Sequence, residues 1–136
     1  MERHDDEPRL FTVEDANLLI PHVRELVEFM QARKRELDGL DREIAQVEDT
    51  ARGNGHEGAG KLNELRRRAL IAAGMIEAKM ANLRGIGCEL KGIEQGLVDF
   101  PTEREGRIVY LCWQLGEDVI AFWHELHAGF AGRQPL

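Results

Sequence analysis

Five side chains with ligand chemistry crowd the last third of the sequence: Asp99, Cys112, Glu117, His124 and His127. Carboxylate, thiol and imidazole are the donors that hold transition metals. Whether these groups can meet depends on strand register. With Leu115-Gly116 as a two-residue turn, Gln114 opposes Glu117, Cys112 opposes Val119 and Arg107 opposes His124. Glu117 and His124 then lie on opposite faces of one strand, about 23 Å apart at about 3.3 Å per residue. On a helix they would share a face, about 10.5 Å apart along its axis. A metal site built on Glu117, His124 and His127 therefore needs further ligands, from Glu14, His22 or a second subunit. His124-Glu125-Leu126-His127 is not the zinc-protease pattern, which sets its histidines four apart; here they are three apart.

A first hairpin shifted by one from the simplest count puts Asp99 across from Arg107, and Arg107 across from His124. Arg107 could then bind a carboxylate or phosphate beside an imidazole near its switching pH. A guanidinium between Asp99 and His124 argues against a metal there. Glu117 and Arg133 are the remaining candidates for such a small-ligand site. Arg133, with Gly129 and Gly132 nearby, either caps the site or pins the C-terminus to the sheet. The competing account is a salt-bridged sheet edge, and the sequence favours it. Cys112 shows no cationic neighbourhood and reads as a buried structural thiol. Trp113 and Trp123 read as core or interface anchors. No motif implies a specific cofactor.

The elements that must position these groups follow from periodicity. Arg9-Leu10-Phe11 suggests a short strand, and Thr12 an N-cap with Asp15 three positions on. Leu19, Val23, Leu26, Met30, Leu37, Leu40, Ile44 and Val47 step by fours and threes, with Arg33 as the one polar place in the series. This heptad seam predicts a helix from 13 to 49, kinked or restarted at Pro21. Residues 51–60 contain four glycines and predict a mobile loop. Leu62, Leu65, Ala69, Ala72, Ile76 and Leu83 repeat the stepping, with Lys79 polar, and predict a second helix over 61–83. The two helices make an antiparallel hairpin.

The pattern changes at Gly85. Leu97–Phe100, Ile108–Trp113 and Val119–His124 read as strands of a three- or four-stranded antiparallel meander. Pro101–Gly106 reads as a loop and Gln114–Glu117 as a tight turn. Residues 118–127 also fit helical spacing through Val119, Phe122, Trp123 and Leu126; the Gly116 turn and the β-branched and aromatic content favour a strand. The tail from Ala128 is irregular.

Composition bounds the rest. The chain is 43% hydrophobic and 32% charged, ordinary for a globular protein, and its formal charge of -7 argues against nucleic-acid binding. Arg33-Lys34-Arg35 and Arg66-Arg67-Arg68 are flanked by acids and read as solvated helix faces. No apolar run approaches the roughly 20 residues of a membrane span. Residues 1–8 are polar, without a secretory leader pattern, and are expected to be disordered. Two cysteines are too few for a disulfide framework, so a reducing cytoplasm is expected.

Gly96-Leu97-Val98-Asp99-Phe100-Pro101, Leu111-Cys112-Trp113-Gln114-Leu115-Gly116-Glu117, Trp123-His124 and Gly129-Phe130-Ala131-Gly132-Arg133 together resemble a small bacterial family, domain of unknown function 2203. Phe11-Thr12, Glu14-Asp15-Ala16-Asn17 and Pro21 resemble that family's start, so the likeness spans residues 10–136. It implies a helical hairpin followed by a small sheet, and no activity.

The expected fold is therefore α+β: a long helical hairpin over about 13–84, then a small antiparallel β-meander and tail over 86–136, with 9–136 one domain. A seam longer than the sheet can cover predicts a homo-oligomer, most simply a dimer. The expected role is non-catalytic, through self-assembly or a protein partner. The alternative is a small-ligand or metal site between Asp99 and Arg133.

Overall fold

A computed structural model describes residues 9–54 and 58–136, with side chains given for all of them except 51–54. The expected disorder of residues 1–8 lies outside the described residues, as do positions 55–57 of the expected loop. Helix α1 is Val13–Asn54 and α2 is Ala59–Ile86. Five strands follow: β1 Glu89–Gly92, β2 Leu97–Arg104, β3 Arg107–Gln114, β4 Phe122–His124 and β5 Gln134–Pro135. They form one antiparallel sheet in the order β1-β2-β3-β4-β5. The fold is α+β, as the periodicities predict, and its described residues form two compact units, 29–79 and 9–28 with 80–136.

The 29–79 unit is the helical hairpin. Met30, Leu40, Leu65 and Ala72 are buried along the two seams. Leu37, Ile44, Val47, Leu62, Ala69 and Ile76 are half-buried. The two polar interruptions of the seams meet on one ring: Arg33 lies 5.2 Å and Lys79 5.0 Å from the centroid of Phe29. Both helices extend into the stretch read as a loop, α1 to Asn54 and α2 from Ala59. The expected seam is therefore largely satisfied within the chain.

In the other unit, α1 begins where Thr12 caps it, its Oγ1 accepting from Asp15 N–H at 3.0 Å. The helix runs unbroken through Pro21. Ile20, Val23 and Val27 are buried on both sides of that proline, and this packing offsets a penalty of about 3 kcal/mol. Helix α2 ends in a Schellman motif: Gly87 N–H donates to Arg84 O and Cys88 N–H to Leu83 O. Gly87 takes φ 108° there, with space for a Cβ only 3.0 Å from Arg9.

One face of the sheet is core. Val98, Phe100, Val109, Leu111, Trp113 and Trp123 are buried on it, and Phe11 stacks edge-on to Phe100 at 5.4 Å. Arg9–Phe11 is not a strand, but Phe11 N–H donates to Pro101 O at 2.8 Å and Phe11 O accepts from Thr102 Oγ1 at 2.6 Å. That contact explains why Pro101 lies inside β2 and not in a loop. An antiparallel residue points its nitrogen and carbonyl to the same side. The nitrogen of Pro101 thus faces Phe11, and no bond to β3 is lost. The β2–β3 turn is only Glu105-Gly106, both at positive φ (52° and 79°), the type I′ geometry that matches strand twist.

Candidate metal centre

Register decides which side chains meet. Asp99 pairs with Cys112 and Arg104 with Arg107. Tyr110 pairs with His124 and Cys112 with Phe122. The expected Asp99–Arg107–His124 ladder therefore does not form. The turn at Gln114 is present, with Glu117 N–H donating to Gln114 O, but pairing resumes only at Phe122. Trp113 Nε1 bonds Glu117 O at 2.9 Å and Ile120 N–H bonds Asn17 Oδ1 at 2.7 Å, holding the intervening chain off the sheet. The register moves by three residues. An odd shift exchanges faces, so His124 turns away from Arg107 and toward Asp99 and Cys112. The segment 122–124 is strand, the reading the sequence favoured, but Val119–Ala121 is not.

Asp99, Cys112 and His124 come from three adjacent strands, β2, β3 and β4, and project from the sheet face opposite the core. All three are buried, and one ligand atom from each lies within 4.8 Å of the others. His124 Nε2 is 3.0 Å from Asp99 Oδ2. His124 Nδ1 is 2.7 Å from Glu125 O. A carbonyl only accepts, so Nδ1 carries the proton. The Asp99–Nε2 contact then holds one further proton, or a cation in its place. Burial raises the Asp99 carboxyl above its ordinary pKa, opposed by His124. Burial, with the Asp99 charge, pushes the Cys112 thiol up to about 11. Such a thiol stays protonated near neutral pH and is a poor nucleophile. A bound cation reverses that logic, because it favours the thiolate and carboxylate together.

The tail closes over this face. Arg133 donates to Cys112 O at 3.1 Å and to Glu117 Oε1 at 2.7 Å, and its charge partly opposes the upward push on the Cys112 thiol. It stacks on Phe122 at 4.2 Å and Phe130 at 4.8 Å. Arg133 thus pins the C-terminus, one of its two expected roles, beside the cluster. Its Nε is buried without a partner. A cavity of about 330 Å³ adjoins the cluster, lined by Lys91, Leu97, Asp99, Cys112, His124, Leu126, His127, Gly129 and Phe130.

The other candidates fall elsewhere. Arg107 is exposed at the far end of the hairpin, paired with Glu125 and Glu105. Without it between Asp99 and His124, the argument against a metal there lapses. Glu117 is held by Arg133 and by the Gln114 N–H, 2.6 Å away. His127 is exposed on the cavity wall and is not one of the three clustered donors. Cys112, read as a structural thiol, joins the cluster instead. One signal pointed to it: Asp99 sits in an apolar strand, and a buried acid requires a buried partner.

Among the described residues no helix is long and apolar enough to cross a membrane. No curated protein and no solved structure matches the chain significantly. The family model for an uncharacterised conserved protein, DUF2203, matches residues 9–136, the two helices and the whole sheet that carries this cluster, and the chain belongs to that family.

Proposed function

We propose that this protein binds a divalent transition-metal ion through Asp99 Oδ2, Cys112 Sγ and His124 Nε2. The observation that carries the reading is the convergence of three buried donors of different type from three strands. A mixed nitrogen, sulfur and oxygen set suits zinc or a neighbouring first-row ion. The Nδ1–H bond to Glu125 O is the outer contact that ligating histidines usually make, and it leaves Nε2 for the metal. Tetrahedral coordination sets these donor atoms roughly 3.3–3.6 Å apart, so His124 Nε2 and Asp99 Oδ2, 3.0 Å apart, open by a few tenths of an ångström to admit the ion. Three protein ligands leave a fourth position, on the side of the cavity. Two free buried thiols suit a reducing compartment such as the cytoplasm.

Cobalt(II) tests this. Protein purified without metal and loaded with Co²⁺ should retain one ion per chain after desalting, with a thiolate-to-cobalt band in the near ultraviolet. Cys112→Ser should remove the band while circular dichroism is unchanged. Retention of no ion, or a band that survives Cys112→Ser, overturns the reading.

A second reading, self-assembly, rests on another observation. Leu70, Ile71 and Met75 on α2 are 74%, 49% and 41% exposed. Gly74 among them has open space where a Cβ would stand. In an antiparallel pairing of two copies centred between Ala72 and Ala73, Ile71 meets Gly74, Leu70 meets Met75, and Arg68 meets Glu77. The complementary charge at both ends favours a second copy of this chain as the occupant.

A further inference from the structure

We propose that the cavity beside the Asp99–Cys112–His124 cluster takes a small organic monocarboxylate, its acid group directed to the metal's open position and to Lys91, and its apolar body against Leu97, Leu126 and Phe130. This rests on the metal reading above.

The wall chemistry is two-sided. Leu97, Leu126, Gly129 and Phe130 form an apolar part. Lys91 and His127 form a basic part, and Asp99 is the one carboxylate among the described residues of the wall. A divalent ion held by the Cys112 thiolate and the Asp99 carboxylate is neutralised within its own shell. Lys91 is positioned by its Glu89 contact at 2.9 Å and by the Tyr110 ring at 5.0 Å, and neither Glu89 nor Tyr110 lines the cavity. The wall therefore presents an ammonium group and an open metal position to one bound anion. At about 330 Å³ the cavity lies at the small end of the range for ligand sites, roughly 300–1,000 Å³. That size suits a short branched acid. Exposed Leu126 and Phe130, at 45% each, gain cover from such a body.

The probe is 4-methylpentanoate, titrated into the Co²⁺-loaded protein and followed by the visible cobalt spectrum. A saturable spectral change is expected with the acid and not with 4-methylpentanamide, which has the same shape without the charge. Lys91→Met should weaken the acid about fivefold, the scale of one partly exposed ion pair, with cobalt stoichiometry unchanged. Phe130→Ala should weaken it too, again with cobalt retained. No spectral change, an equal response to the amide, tighter binding of inorganic phosphate, or an unaltered Lys91→Met titration overturns the inference and leaves the metal site standing. Failure of the protein to hold cobalt at all overturns the metal reading, and this inference with it.

Discussion

His124 Nε2 and Asp99 Oδ2 stand 3.0 Å apart although one strand separates them in the sheet. Both side chains are buried, so each depends on the other for its solvation. Removing His124 leaves the Asp99 carboxyl buried with only the weak Cys112 thiol as a side-chain hydrogen-bond partner. His124→Ala is expected to lower stability by about 3–5 kcal/mol in urea unfolding of metal-free protein. Asp99→Asn should cost less, because the amide can still donate to Nε2. Zinc should then raise the Tm of the native protein, by linkage, and leave that of His124→Ala unmoved.

Thiol titration gives a second expectation. Burial pushes Cys88 up to about 12 and Cys112 up to about 11. Neither should react with a thiol-specific disulfide reagent near neutral pH until the protein unfolds. The sign for stability follows from the same shift. A thiol pKa raised in the folded state contributes stability below the ordinary thiol value and loses it as pH climbs toward the folded one. Stability should therefore fall through the alkaline window between about 8.5 and those values. Cys88→Ala should flatten the fall, measured by urea unfolding across that window.

How much of this was legible in the sequence divides along local and non-local lines. The seams through Leu26, Leu40, Leu65 and Ala72 and the cap at Thr12 are local, and the described helices carry all of them. The β1 and β5 strands are not legible in the sequence, because four residues ending in Gly92 and two ending in Pro135 are too short to establish a period. The cluster hinged on one loop. The tight turn after Gln114 was visible, but Ile120 bonding Asn17 on a distant helix was not, and it delays pairing to Phe122. That non-local bond changes the register by an odd number and so selects Cys112 over Arg107 as the neighbour of His124.

Arg133 supports the tail beside this cluster through a geometry only a guanidinium supplies. It bonds Glu117 and Cys112 O while its guanidinium carbon lies over the Phe122 and Phe130 rings. Arg133→Lys keeps the charge and loses the planar stacking, so it should not rescue the defect of Arg133→Met. Both variants should show faster amide hydrogen exchange over residues 126–136, with β2 and β3 still protected. Equal protection of the tail in Arg133→Met would show that β5 pairing alone holds it.

Assembly and folding should respond to different leucines. The sequence seam pointed to an intersubunit face, yet Leu40 is 3% exposed, covered by the chain itself. Leu40→Ala should cost about 2–5 kcal/mol of stability, the usual range for a cavity of that size. Leu70 and Ile71 instead face outward, at 74% and 49% exposure, so a charge at either costs little in a monomer. Ile71→Glu should leave the urea midpoint of dilute protein nearly unchanged and shift sedimentation from dimer to monomer. Adding Arg68→Glu with Glu77→Arg restores complementary pairing in an antiparallel dimer, so that double exchange alone should keep the dimer. A native chain that sediments as a monomer at tens of micromolar would leave the outer face of α2 without a role in self-association.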